Sequence, residues 1–351
     1  MILCNFNINN LFIRYKFGST FPGDQSGKSA SENEDYGYLP LYQKGSFEIF
    51  NAAQRKLASL ALTRGGTVWP DIICLQEVES LIALRTFNEQ FLNAAFPYAL
   101  LIDSRDFRQI DVGILSKYPI MSVHSHIDDK TKEGEYIFNR DCLEATIQLK
   151  KGTDVTLFIN HFKSKLAQGK TPEARMADIQ RANAKRRLQA ETVLKIVRER
   201  FPGNSFNSEN FAILGDFNDT PQAPELASLA GNHGLKDAIE SGLPPEERWT
   251  HYYKSEGSVS QLDHILLSPS LGRKLKSVQI ERRGIGYREH SRRDDSLILP
   301  KQVKLKQSDD DSSPPLIDFQ FNRFDDVTTE NCASDHCPIF AEFDLSTSVL
   351  L

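Results

Sequence analysis

A chain of 351 residues, 40% hydrophobic and 25% charged, has ordinary globular composition and enough length for one large α/β unit or two domains. Its net charge of −5 and isoelectric point of about 6.0 exclude a molecule that is basic throughout, although a local basic face remains open. Five widely spaced cysteines with no CxxC pair exclude a disulfide framework and a zinc ribbon, and point to a reducing compartment. No apolar run is long enough to span a bilayer, and the N-terminus lacks the basic-then-apolar pattern of a secretory signal. A cytoplasmic protein, a monomer with one domain over 1–351, is expected.

Residues 2–8, ILCNFNI, read as a first strand, followed by Asn9, Asn10, Leu11 and Phe12. Residues 18–46, rich in Gly, Ser and acids, predict a long loop, and the spacing over 47–62 predicts a helix. Pro70 ends that element, and DIICLQEVE at 71–79 is a buried strand running into Gln76 and Glu77. A carboxylate straight after four apolar residues is costly to bury unless something pairs with it, so Glu77 is a ligand candidate.

DVGILS at 111–116 is a further strand, approached by Arg105 and Arg108. Leu143, Ala145, Ile147 and Leu149 alternate as in a half-buried strand, with 154–160 as a hairpin partner that empties onto His161. Thr171-Pro172-Glu173 is a helix start, and Phe201-Pro202-Gly203 stops that helix near Arg200. Its expected apolar stripe runs through Met176, Ile179, Ala190, Val193, Leu194 and Val197, interrupted by Arg186 and Arg187; the Lys and Arg of 163–200 read first as a solvated face and second as a polyanion-binding one. FAILGDFNDT at 211–220 is a buried strand that turns at Gly215 and delivers Asp216 and Asn218. LDHILLS at 262–268 follows, with His264 expected to face away from Asp263 and to be structural. Residues 281–331 read as an insertion loop, and a last strand over 338–343 is preceded by Ser334-Asp335-His336.

Successive apolar strands thus end in Asn7, Glu77, His161, Asp216 with Asn218, and Asp263, and the last begins just after Asp335 and His336. Several acids and two histidines at buried strand ends are hard to explain as packing. Oxygen donors suit magnesium, with manganese as the alternative, and no two-histidine spacing favours zinc.

The stretches FNINNLF at 6–12, DIICLQEVE at 71–79, NHFKSK at 160–165, LGDFND at 214–219, LDHILLS at 262–268 and SDHCPI at 334–339 together resemble the endonuclease/exonuclease/phosphatase superfamily. They stand in family order over nearly the whole chain. The set is most similar to a large bacterial branch that opens with NxxNLF. The resemblance implies an α/β four-layer sandwich, with two mostly antiparallel sheets packed face to face under helices, and metal-dependent phosphoester cleavage at one site. It assigns Glu77 as main metal ligand with Asn7, Asn9 and Asp335, although many relatives have an acid or Gln where Asn9 stands. It assigns Asp216 to position or deprotonate water, Asn218 to hold phosphate or that water, Asp263 to orient His336, and His161 to the phosphate or leaving group. Arg108, whose fork matches phosphate geometry, and then Lys163 and Asn160, are the expected phosphate contacts.

The substrate is less legible. The 262–268 stretch lacks the Cys-Asp-Arg form of inositol polyphosphatases, and no membrane hairpin of a secreted sphingomyelinase is present. Phe6 and Gln261 stand where abasic-site nucleases carry Trp. A nuclease acting on DNA or RNA is the leading expectation. A phosphodiesterase or phosphatase for a lipid headgroup or small phosphoester comes second, and a silent binding scaffold third.

Overall fold

The computed structural model describes residues 1–15, 47–49, 51–66, 68–230, 234–286, 301–308, 313–328 and 331–345. Two six-stranded sheets form its centre. The first runs in the order Leu275–Ile280, Ile339–Phe343, Ile2–Leu11, Ile72–Val78, Asp111–Ser116, Tyr98–Leu101. The second runs Lys236–Asp237, Asp263–Leu267, Phe211–Asp216, Thr153–His161, Cys142–Lys150, Ile120–Ser125. In each sheet the third and fourth strands are parallel and every other pair is antiparallel.

Side-chain alternation decides what lies between the sheets. Leu3, Ile72, Cys74, Leu157, Ile159, Ala212, Leu214, Ile265 and Ile339 share one buried cluster, the filling of the sandwich. The alternate residues Cys4, Phe6, Ile73 and Leu75 face outward, under the helices Ala52–Leu62 and Leu81–Phe91. Phe158, Phe211, Ile213 and Leu266 face outward on the other side, under the helix Pro172–Arg200. The result is the expected four-layer α/β sandwich. Each parallel pair presents two carboxyl-terminal strand ends at one edge, and those ends carry Asn7 and Glu77 in one sheet, His161 and Asp216 in the other. Cys4, Cys74 and Cys142 are buried free thiols, as their apolar neighbours predicted.

Gly215 is required where these strands meet. Its φ is +142°, and a Cβ there would lie 1.9 Å from the carbonyl oxygen of Asn160 on the neighbouring strand. Thr171 caps the long helix, its hydroxyl accepting from the Ala174 N–H.

Three expectations change. Over 47–62 only Ala52–Leu62 is helical: Phe47–Ile49 pairs with Ile13–Tyr15, and Asn51 at φ 52° separates the two. Within 281–331, Gln302–Leu305 and Leu316–Asp318 are strands, joining His251–Tyr253 and Ser258–Ser260 in a four-stranded sheet. Val303 and Leu305 alternate with exposed Gln302 and Lys304, and their own small core includes Trp249, Tyr252 and Phe319. On the long helix Met176 and Ile179 are exposed, so the apolar stripe starts at Ala182, and Arg186 is fully buried within it. The predicted loop at 18–46 lies outside the described residues. No helix among the described residues is long and apolar enough to cross a membrane.

Asp111 opens a strand beside the site, buried, with one oxygen accepting from the Ser104 N–H at 3.0 Å. Burial pushes its pKa up to about 6. The folded state therefore favours the protonated acid: its contribution is full below the unfolded value and is lost as pH rises through about 6. Asp111→Asn keeps the acceptor oxygen. It should raise stability at pH 8 by about 1–3 kcal/mol and leave it nearly unchanged at pH 4, read by urea unfolding at both pH values.

Candidate active site

Strict alternation along Ile72–Val78 would aim Gln76, not Glu77, between the sheets. Gln76 does point there, donating to Asn5 Oδ1 at 2.9 Å. Glu77 reaches the site edge because the ladder slips at this residue and its φ is +63°. Asn9 and Asn10, at φ 54° and 55°, make a matching irregularity in the adjacent strand. Asn218 at φ 54° makes a fourth. Left-handed backbone in non-glycine residues costs about 1–3 kcal/mol each and gathers where function demands it.

These turns converge. Asn10 N–H donates to Glu77 Oε2 at 3.1 Å, and Asn9 Nδ2 donates to Asp335 Oδ1 at 3.0 Å. Asn7 accepts from the Asn9 N–H through Oδ1 and donates through Nδ2 to Asp216 Oδ2 at 3.0 Å, joining the two sheets. Arg55, fully buried, donates to the carbonyls of Ile8 and Asn9 at 2.8 Å and fixes this corner from behind.

On the second sheet Asp216 is almost fully buried. Its Oδ1 accepts from the Asn218 N–H at 2.8 Å, and its Oδ2 lies 3.4 Å from His161 Nε2 and 3.8 Å from His336 Nε2. His336 Nδ1 is 2.8 Å from Asp263 Oδ2, which also accepts from the Thr250 hydroxyl at 2.7 Å. Thr250 Oγ1 in turn accepts from the Leu262 and Asp263 N–H groups. Ser334 ties the last strand to the first by donating to the Asn7 carbonyl.

The electrostatics separate the two histidines. Burial lowers the His161 pKa well below its ordinary value, and nearby Arg140, His336 and Arg108 lower it further, so it is neutral. Burial works in the same direction on His336, but the carboxylates of Asp263, Asp216 and Asp335 overcome it and hold the ring well above its ordinary pKa. Asp216 is pushed up to about 6 by burial, with Asp263 adding to the rise against the opposing His336. A raised carboxylate between a neutral and a charged imidazole is a constellation fit for moving a proton near neutral pH.

Burial also raises Glu77, and the neighbouring Asp335 raises it further. Two carboxylates that repel each other beside the amides of Asn7 and Asn9 form an all-oxygen donor set. The residues present therefore fit a hard divalent cation such as magnesium.

The expected phosphate contacts fare unequally. Arg108 is exposed and acts electrostatically on Glu77 and His161; Lys163 is half-buried, and burial, with Arg140 and Arg108 nearby, lowers its own pKa. Asn160 is a correction. With His161 facing the site, its neighbour must face outward, and Asn160 is fully buried there, donating to the Phe158 carbonyl at 3.0 Å. His264 is structural as expected, stacked on Phe217 with Nε2 at 2.9 Å from the Asp219 carbonyl.

Two residues were not anticipated. His251 lies 3.9 Å from Asp335 and has its ring centroid 4.6 Å from that of His336. Reading 251–260 as a hairpin would have found it, because His251 then stands opposite Ser260, three residues before Asp263. Arg140, nearly buried, donates to Asp106 and to the Phe162 carbonyl, and no local pattern announces it.

A family model described as the Endonuclease/Exonuclease/phosphatase family matches residues 49–336. The chain belongs to that family. Members are phosphoester hydrolases that depend on divalent metal. Among solved structures, the chain is similar to a beta toxin variant from Staphylococcus aureus with bound magnesium ions, at 16% identity and TM-score 0.52, covering 98% of this chain and 99% of that one. A mannosyl-6-phosphatase from Bacteroides thetaiotaomicron matches at 15% identity and TM-score 0.54, over 98% and 100% of the two chains. A 3′ phosphatase from Neisseria bound to product DNA hairpin matches at 15% and TM-score 0.50, over 98% and 99%. At these identities the likenesses concern the fold alone. No match is found among curated proteins.

Proposed function

We propose that this chain is a single catalytic unit that hydrolyses phosphoesters with a magnesium ion at the shared edge of its two sheets. The observation that carries the reading is Asp216, a buried carboxylate with its pKa raised to about 6, set between neutral His161 and protonated His336. Glu77, with Asn7, Asn9 and Asp335, would hold magnesium, or manganese in its place. When bound, the ion supplies charge neutralisation at the non-bridging phosphate oxygens.

The chain's own residues supply the rest. Asp216 takes the proton of the attacking water, and Asn218, fixed by donating to the Phe162 carbonyl at 3.1 Å, orients that water or the phosphate. Asp263 fixes the tautomer and angle of His336, whose protonated ring donates to the charge that develops on the phosphoryl group. His161, neutral, donates from Nε2 and aligns Asp216 or a phosphate oxygen. Arg108 and Lys163 draw in the anion, and Arg140 joins them.

Glu77→Gln should raise the magnesium concentration needed for half-maximal turnover by about tenfold or more, while leaving the melting temperature in EDTA unchanged. An unaltered magnesium titration would remove Glu77 from the ligand set.

Nucleic acid is the substrate to test first. Arg108 and Lys163 at the rim supply positive charge that a phosphate backbone would meet. Supercoiled plasmid should be nicked with magnesium, and not in EDTA or by Asp216→Ala protein. Intact plasmid with a folded, metal-loaded enzyme would turn the search to small phosphoesters.

A further inference from the structure

The outer face of the second sheet carries a cluster that the reaction does not use. His124 and His126 are two residues apart, a spacing that has no meaning until a strand lies beneath it. The strand Ile120–Ser125 runs up to His126, so both side chains project to one face. Across the ladder His124 stands opposite Glu144, and Glu144 stands opposite Phe158, on the face covered by the long helix. Cross-strand partners have Cβ atoms about 5 Å apart. Two imidazoles and a carboxylate therefore meet away from the catalytic edge.

Their geometry suits ligands better than a plain ion pair. His126 is 8% exposed, and its Nε2 has no hydrogen-bond partner among the described residues. Glu144 Oε2 stands 3.7 Å from that nitrogen, too far for a hydrogen bond. Two ligands held tetrahedrally by one zinc ion, each about 2.0–2.2 Å from it, lie about 3.4 Å apart. The observed gap is close to that span. The His124 ring centroid is 4.6 Å from that of His126, and His124 is exposed, so a turn of its side chain brings a nitrogen to the same point.

The surroundings already orient these donors. His126 Nδ1 lies 3.0 Å from Asp129 Oδ2, which keeps the hydrogen of the neutral ring there and leaves the Nε2 lone pair facing Glu144. Arg200, at the end of the long helix, donates from Nε to Glu144 Oε1 at 2.9 Å and leaves Oε2 over. Burial works to raise the Glu144 pKa, but His126 and Arg200 overcome it and hold the group below its usual range. Burial works to lower His126, but Glu144, Asp129 and Asp141 overcome it and raise the ring above its ordinary pKa. The cluster thus favours a positive charge at this point, from a proton or from a metal ion.

We propose that His124, His126 and Glu144 form a zinc site, separate from the catalytic metal corner, with water as the fourth ligand. Imidazole nitrogen suits zinc, whereas magnesium takes oxygen donors. The ion pins the edge strand Ile120–Ser125 to its neighbour. It also sits at the base of segment 126–141, which Asp141 closes by accepting from the His126 N–H at 2.8 Å. That segment carries Arg140, which donates to the Phe162 carbonyl beside the catalytic edge. The site stands whether or not the chain hydrolyses phosphoesters.

The test is calorimetric titration of the EDTA-stripped and dialysed full chain with zinc, in millimolar magnesium. Asp216, Asp263 and His336 also cluster closely enough to take an ion, so Asp216→Ala protein is titrated beside the parent. Both should bind zinc at a site with Kd of about a micromolar or below. In the Asp216→Ala background, His124→Ala, a change at an exposed side chain, should weaken that site about tenfold or more, and Glu144→Gln should do the same. Cobalt in place of zinc should give the visible bands of a four-coordinate ion in Asp216→Ala protein, and lose them when His124→Ala is added. Zinc should likewise raise the melting temperature of Asp216→Ala protein and leave that of the double variant where it was. No zinc binding by Asp216→Ala protein, or binding that survives both His124→Ala and Glu144→Gln, would overturn the site. Binding that needs Asp216 and not His124 would overturn it too, placing the ion at the catalytic edge.

Discussion

Asp216→Ala should lower phosphoester turnover by about a thousandfold and leave the protein folded. The kinetic part follows from the position of the carboxylate. It touches both histidines and, through Asn7, the metal corner of the other sheet. General-base help is worth about 10²–10⁴-fold, and its loss leaves Asp263 and Asp335 to hold His336 in its charged form.

The stability part follows from its pKa. Raised to about 6 by burial, Asp216 contributes stability below its unfolded pKa and loses it as pH rises through about 6. At pH 8 the ionised group is an electrostatic burden on the fold, and alanine relieves it while stranding the Asn218 N–H and Asn7 amide. The two effects oppose each other, so the melting temperature at pH 8 should stay within a few degrees of the parent. Asp216→Asn separates the roles, because its amide keeps an acceptor for Asn218 and cannot take a proton. Turnover by the Asp216→Asn variant close to that of the parent would show that the residue only positions its neighbours.

The chain announces its strand ends more clearly than the means of aiming them. Phe211 to Leu214 and Ile72 to Leu75 are apolar runs that empty into polar groups, and both sheets place those ends at one edge as the runs suggest. Alternation then carries information that could have been used further. Once His161 faces the site, Asn160 cannot, and Asn160 is indeed turned outward. Glu77 is the opposite case, because alternation selects Gln76 and only a slipped ladder with φ +63° brings Glu77 round. No local preference of glutamate foretells that conformation. The small sheet escaped notice because strands of three or four residues are shorter than any reliable period. His251 depends on that sheet, and so was hidden with it.

Arg186 shows what a basic run on a helix conceals, and replacing it should have the largest effect on stability. Its neighbours Lys185 and Arg187 suggest a solvated face, yet its side chain is fully buried. Its Nε donates to Asp219 Oδ2 at 2.9 Å, one terminal nitrogen donates to the Lys163 carbonyl at 3.0 Å, and the other donates to Asn183 Oδ1 at 2.5 Å. Asp219 is 1% exposed and also holds Lys165 at 2.5 Å and the Thr220 N–H at 3.0 Å. Arg186→Met keeps much of the volume but leaves that carboxylate and the Lys163 carbonyl short of donors. Breaking one side of a buried pair costs about 3–5 kcal/mol, roughly a 4–7 °C fall in melting temperature for a chain of this size. Turnover should fall as well, because Asp219 anchors the turn that carries Asn218, and Arg186 fixes the segment that carries Lys163. The second substitution is the sharper check. Adding Asp219→Leu to Arg186→Met removes the carboxylate that lost its guanidinium; Lys165, 28% exposed, is released to water, the Thr220 N–H loses its acceptor, and an apolar pair in place of a buried ion pair is often nearly neutral. The double variant should therefore regain at least half of the lost stability without regaining turnover, since Lys163 and Asn218 stay unanchored. Equal melting temperatures for the single and double variants would mean that the cost lies in the Lys163 carbonyl, not in the charge of Asp219.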